Sequence, residues 1–370
     1  MNRPTLEPIE GVEVMNYALD LNSLTPWLGR RIPDLDASAA PQVQLMAGGR
    51  SNLTFALTDA SGHRFALRRP PLGHVMHKAH DMAREFRVLS GLHRVDFLVP
   101  DAQALCEDIS VLGAPFLVMS FVEGMTLSDA DDTAQLSPEQ ADAVSRTLIG
   151  TLSTLHRVDV EAAGLSDFGR PSGYLNRQVA LWRRQWETTK TRELAEIERL
   201  AAWLSAAVGK VPTGLPWSLV HGDYRLDNTI LDPELHQLRA VLDWEMSTLG
   251  DPVADLAIAL VYRIEVDDGL RRSVPVGQDA TTAPGFWTRN RILDEYVART
   301  EFDIGHLQFC VALACYKLAV IMESIHFRTL AGQQRRAAAE RQENMGTATE
   351  ALALLGLSVI EHGAVEGLRA

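Results

Sequence analysis

The sequence predicts an α+β protein of two lobes: an N-terminal lobe built on an antiparallel sheet with one main helix, then a larger, mostly helical C-terminal lobe. Three observations predict it. Residues 41–70, PQVQLMAGGRSNLTFALTDASGHRFALRRP, read as three short strands, with turn signals at Gly48-Gly49 and across Asp59 to Gly62. Beyond Ser137 apolar residues recur mainly at helical spacing. That helical region is interrupted once, between Leu219 and Asp255, where the short apolar runs PWSLV, TILD and LRAVLD frame a set of polar residues. The boundary falls where VMSFVEG gives way to polar sequence, so the lobes are residues 1–123 and 124–370.

Each element has a local reason. A short helix is expected near Leu21 to Leu28, and a longer one from about His77 to Leu92 follows the three strands. An apolar strand pair, Ala102 to Leu105 and Phe116 to Phe121, closes the first lobe. Ser137 caps the next helix, Pro138 fits its first turn and Gln140 completes a capping box. In GYLNRQVALWRRQWE, Leu175, Val179, Trp182 and Trp186 repeat at four, three and four, which makes one buried stripe. GDPVADLAIALVY starts a helix with Asp251 as cap, and further helices are expected over Arg291–Arg299, Leu307–Leu330 and Arg336–Leu355.

Composition narrows the function. With 370 residues, 46% hydrophobic and 22% charged, the chain has the makeup of a globular protein whose two lobes each bury a core. A net charge of −13 and a pI near 5.3 disfavour a nucleic-acid partner and would suit a cationic small molecule. The three cysteines form no C-x-x-C pair, so neither a disulfide framework nor a structural zinc site is indicated, and a reducing cytoplasm fits. The N-terminal stretch has no apolar core of a leader, and the most apolar run, FCVALACYKLAVIMESI, is broken by Lys317 and Glu323. It reads as a core helix, and no membrane partner is expected.

The chemistry concentrates in LVHGDYRLDNTILDPELHQLRAVLDWEMSTLGDPVAD. Asp223, Asn228 five positions on, and Asp243 each fit a task in phosphoryl transfer from a magnesium nucleotide, where a protein mainly positions groups and offsets charge. Asp223 would orient the attacking hydroxyl and take its proton. Asn228 and Asp243 would offer oxygen ligands to Mg2+. One such residue alone is more often a turn former or cap; three in order, on loops at strand ends, reverse those odds. A metal-hydrolase reading of His221 with Asp223 and Asp243 lacks a second His-rich cluster, so His221 reads as a structural hydrogen-bonding residue. Asp255 either braces the catalytic loop or favours its own helix dipole.

Other candidates depend on position. In AGGRSN, the amides at Gly48 and Gly49, with Ser51 and Asn52, would approach phosphate oxygens, although a Gly pair in a hairpin is more often only a turn. Arg68, in FALRRP, offers phosphate a bidentate fork, although a strand arginine taken alone is as often solvent-facing. Arg177, Arg183 and Arg184 lie off the buried stripe of their helix and form a candidate anion site for substrate.

The D-x-x-x-x-N spacing and the strand-end Asp resemble the protein-kinase catalytic and metal-binding loops, with HGDYRLDN for HRDLxxxN and DWE for DFG. The combination resembles the aminoglycoside phosphotransferase and choline kinase branch of the kinase-like superfamily. GGRSN, ALRRPP and WRRQW look most like the kinase-like domain found alongside, and sometimes fused to, acyl-CoA dehydrogenases. The resemblance implies a two-lobed kinase-like fold that binds Mg-ATP between its lobes, with Glu85 in AREFRVL as the ion-pair partner of Arg68 and backbone groups of Ser120, Phe121 and Val122 at the adenine edge. For the fused members it also implies phosphorylation of 4-hydroxyacyl-CoA or related hydroxy acids. Arg68 departs from the lysine usual at its place. The alternatives are an aminoglycoside or macrolide kinase and a nucleotide-binding pseudokinase.

Overall fold

The computed structural model describes residues 19–46, 52–72, 81–275, 279–330 and 345–370. Gly48, Gly49 and Ser51 lie outside them, as do the start of the helix expected from His77 and the first part of the one expected from Arg336. The chain divides into two compact units, the first ending at Glu123 and the second beginning at Gly124.

The first unit is an antiparallel sheet of five strands in the order β1-β2-β3-β5-β4. These are β1 (Gln42–Leu45), β2 (Leu53–Thr58), β3 (Arg64–Arg69), β4 (Ala102–Cys106) and β5 (Phe116–Ser120). The β2–β3 turn is fixed by Asp59, whose Oδ1 accepts from the amides of Ser61 and His63, while Gly62 takes φ +89°. Helix α1 (Leu21–Arg31), capped by Asp20, buries Leu24, Trp27 and Leu28 among Phe55, Leu67 and Phe116. The Trp27 and Phe116 rings meet edge to face at 4.8 Å. Each such fully buried side chain contributes about 1.5–3 kcal/mol. Helix α2 (Met82–His93) is capped by Asp81. The link between β4 and β5 holds a single helical turn, α3 (Ile109–Leu112), capped by Asp108 and ended by Gly113 at φ +77°.

The second unit opens with a short helix α4 (Ala130–Thr133) and then α5 (Pro138–Leu155), where the Ser137–Gln140 capping box is formed in both directions. Helix α6 (Tyr174–Thr189) buries Leu175, Val179, Trp182 and Trp186, the stripe its periodicity predicts, and α7 (Ala195–Ala207) follows. After the strand region come α8 (Pro252–Tyr262), α9 (Arg289–Thr300), α10 (Leu307–Leu330) and α11 (Met345–His362). Helix α10 is the one helix among the described residues long and apolar enough to cross a membrane, and most of it is buried inside the second unit. Its two charges have buried work: Lys317 Nζ donates to the Gly222 carbonyl, and Glu323 accepts from the Thr191 amide and pairs with Arg192 at 3.1 Å.

Two short antiparallel pairs position the loops. Strand β6 (Ser218–Val220) pairs with β9 (Thr248–Gly250), and β7 (Thr229–Leu231) with β8 (Leu238–Val241). Val220 faces Thr248 and Thr229 faces Val241, so the loops 221–228 and 242–247 leave from matching strand ends. The first strand pair is therefore closed by residues from after the second loop, and the two loops are forced side by side.

Candidate active site

Both backbone groups of Leu242 tie the two loops together: its amide donates to the Asn228 carbonyl at 2.8 Å, and its carbonyl accepts from His221 Nε2 at 2.8 Å. Asp243 follows directly, in the left-handed region at φ 65°, a conformation Asp tolerates better than most residues. His221 is fully buried, lies against the Trp244 ring at 4.7 Å, and accepts from the Asp223 amide on Nδ1 at 3.2 Å. A donor on Nε2 and an acceptor on Nδ1 define one neutral tautomer. His221 is thus the structural residue the sequence implied.

Gly222 between them is held on both sides. Its φ is +83°, and a Cβ there would fall 2.7 Å from the Met246 carbonyl oxygen, so only glycine fits. Asp255 accepts from the amides of His221 and Gly222, each at 2.7 Å, and from His156 Nε2 at 3.1 Å. His156 Nδ1 in turn meets the Tyr296 hydroxyl at 2.6 Å. Burial pushes the Asp255 carboxyl up, but the hydrogen bond and charge of His156, with the His221 contacts, hold it below its ordinary value. Of the two readings of Asp255, the loop brace is the one its contacts describe. On the other face of the loop, burial lowers the Lys317 ammonium while Asp223 and Asp255 oppose that shift.

Asp223 projects from this braced backbone, partly exposed. Its Oδ1 accepts from the Tyr262 hydroxyl at 2.5 Å, and its Oδ2 accepts from Asn228 Nδ2 at 3.2 Å and lies 3.4 Å from Arg225 Nε. Asn228 Nδ2 also donates to the Asp223 carbonyl at 2.9 Å. Burial and the Asp223 charge raise the Tyr262 phenol well above its ordinary value, so it stays a donor. Burial works against the Arg225 charge, yet Asp223, Asp227 and Asp243 raise it above its ordinary value. Tyr262, Arg225 and Lys317 are the residues sequence reasoning missed. Arg225 sits inside HGDYRLDN and was open to reading; Lys317 stood out only as a charge breaking an apolar run, and Tyr262 looked like an ordinary position of an apolar helix.

In the first unit Arg68 Nη1 lies 3.0 Å from Glu85 Oε1, both side chains buried, so the ion pair inferred from position is formed. Asn52 is buried at the start of β2. The amides of Ser120 and Phe121 already donate, to the carbonyls of Asp101 at 2.8 Å and Arg64 at 3.4 Å, which leaves them poorly placed as donors to a base. Arg177, Arg183 and Arg184 are exposed, and the contacts of the first two diverge. Arg177 bonds the carbonyls of Arg170 and Ser172 at the start of α6, while Arg183 reaches Ser205 Oγ at 3.3 Å, about 9 Å further along the axis. Among the described residues a buried trio, Asp251, His306 and Cys310, brings ligand atoms within 4.8 Å of one another. Asp251 there bonds His306 at 2.8 Å and caps α8, and burial keeps the Cys310 thiol protonated.

The sequence pattern of the phosphotransferase enzyme family matches residues 42–287, two thirds of the chain. The chain belongs to this family. Acyl-CoA dehydrogenase family member 10 of Mus musculus is 34% identical to this phosphotransferase-family chain over 309 residues, 83% of the chain and 28% of the mouse protein. The chain spans between 28% and 44% of the length of the curated relatives it matches. Among solved structures, a candidate aminoglycoside phosphotransferase from Ralstonia eutropha JMP134 is 29% identical, with a TM-score of 0.76 over 93% of this chain and 99% of that one. Choline kinase from Cryptosporidium parvum Iowa II, 14% identical, shares the fold at a TM-score of 0.63 over 94% and 98%. The kinase-like fold and the resemblance read from HGDYRLDN and LDWE are thereby borne out.

Proposed function

We propose that this protein moves the γ-phosphoryl group of Mg-ATP to a hydroxyl of a small metabolite, a hydroxyacyl-CoA or hydroxy acid. The observation that carries the reading is Asp223, oriented by Tyr262 on one oxygen and Asn228 on the other, with Asp243 next to Leu242, whose amide bonds the Asn228 carbonyl. Asp223 takes the proton of the acceptor hydroxyl as that oxygen bonds phosphorus and ADP leaves. The donor set fits a hard cation. With Asn228 Nδ2 turned to Asp223, its amide oxygen faces the other way, and it and the Asp243 carboxylate would hold Mg2+, which offsets charge on the phosphates. In the first unit Arg68, steadied by Glu85, would bond phosphate oxygens, and the 48–52 turn, Gly48, Gly49, Ser51 and Asn52, would approach them with its amides. An adenine edge falls to Val122 and the carbonyls beside it more than to the amides of Ser120 and Phe121.

The net charge of −13 favours a second reading, an aminoglycoside or macrolide kinase. A phosphoryl-transfer screen with Mg-ATP against hydroxyacyl-CoAs, free hydroxy acids and aminoglycosides separates the two. Transfer to none of them, with nucleotide still bound, would leave a pseudokinase.

Two variants test the nucleotide side. Asp243→Ala is expected to abolish the gain in ATP affinity that magnesium brings; titrations with and without the ion that show the same gain as the parent would remove Asp243 as a ligand. Arg68→Ala is expected to weaken ATP binding at least about tenfold, since a charged hydrogen bond is worth about 1.5–3 kcal/mol, and Arg68→Lys less. Glu85→Ala should be partly redundant with it. Strictly additive losses in a double-mutant cycle would mean that Glu85 does not act through Arg68.

A further inference from the structure

The second unit contains a pocket of about 60 Å3 that adjoins the Asp223 loop and is not used by the chemistry described above. Its walls are mostly apolar: Leu127, Leu148 and Ile149 from one side, Ala259 and Ile292 from the other. A single water needs roughly 10–15 Å3 on the same measure, so the pocket has room for about four to six heavy atoms. Its charged lining groups are turned to one another or to the backbone. Arg225 pairs with Asp227 at 2.8 Å, and Arg263 donates to the carbonyls of Trp287 and Thr281. A polycation would find its one carboxylate, Asp227, already paired, whereas a hydrocarbon would replace water on surface that water solvates poorly.

Two of the lining residues reach the reacting carboxylate. Tyr262 and Arg225 line the pocket and also contact Asp223, at 2.5 Å and 3.4 Å. An acceptor whose hydroxyl meets Asp223 therefore has the carbons next to that hydroxyl one side chain away from the pocket. We propose that the pocket takes the apolar tail of the acceptor, a chain of about four to six carbons beyond the hydroxyl-bearing carbon, and so sets which alcohols are phosphorylated. The proposal rests on the reading of Asp223 as the base that receives the acceptor.

The test uses the full chain and 3-hydroxy acids of four to twelve carbons, whose tails beyond the hydroxyl carbon run from one to nine. Calorimetric binding, which needs no transfer, is measured beside phosphorylation by Mg-ATP. Affinity is expected to rise about threefold to fourfold per added methylene and to level off near four to six. Ala259→Leu, which narrows the pocket, should move the levelling point to shorter tails, and Leu148→Ala, at a half-buried position that tolerates truncation, should move it to longer ones. No binding, binding indifferent to tail length, or a levelling point unmoved in both variants overturns the proposal. Length-dependent binding without any transfer would leave the pocket standing and overturn the kinase reading instead.

Discussion

Asp223→Asn is expected to lower phosphoryl transfer by about 10²–10⁴-fold, the usual contribution of a general base, with Mg-ATP affinity within a few-fold of the parent. Asparagine keeps the size of the side chain and an oxygen to accept from Tyr262, whose hydroxyl lies 2.5 Å from Asp223 Oδ1. It cannot take a proton from the acceptor, and its amide would point donors at Asn228 Nδ2 and Arg225, which now lie 3.2 Å and 3.4 Å from Oδ2. Single-turnover transfer and nucleotide titration separate the two effects. Activity within tenfold of the parent would take Asp223 out of the role.

Asp255→Ala is expected to cost about 3–5 kcal/mol of stability, since each buried donor left without its acceptor costs about 1–3 kcal/mol. It would strip the acceptor from the His221 amide, the Gly222 amide and His156 at once. At roughly 2–4 °C per kcal/mol for a domain of this size, thermal unfolding should fall by about 10 °C. A carboxylate that only favoured its helix dipole would be worth about 0.3–1 kcal/mol, so a loss of a degree or two would return Asp255 to that lesser role. The pH dependence has a definite sign. Because the folded carboxyl sits below its ordinary 3.8, its stabilisation is present above about pH 4 and lost as the pH falls through the folded value. The gap between the parent and Asp255→Asn should therefore narrow in acid.

Much of the site was legible because its chemistry is written in short spacings. Asp223, Asn228 and Asp243 stand on loops between apolar runs, and the paired strands that close those loops obey the same apolar patterning. The Arg68–Glu85 pair was legible only through the kinase resemblance, which puts a helix acid opposite the strand-three cation, because nothing in chain order alone says which acid a buried cation meets. The arginines of α6 show the limit of that reasoning: three cations within eight residues looked like one anion site, yet the guanidinium groups of Arg177 and Arg183 turn to different neighbours. Helical spacing gives the face a residue occupies, not the direction in which a long flexible side chain reaches.

By itself the sequence determined the fold class, the caps and strands that frame the loops, and the residue types that fit phosphoryl transfer, because propensity, patterning and motif spacing are local properties of the chain. The tertiary structure alone decided what holds those groups in place. Lys317 and Tyr262 come from helices α10 and α8, 94 and 39 residues from Asp223, and reach the 221–228 loop only because packing sets the middle of α10 and the C-terminal end of α8 against it. A buried ammonium or phenol must find a hydrogen-bond partner wherever the fold leaves one, and no spacing rule names that partner before the chain has folded.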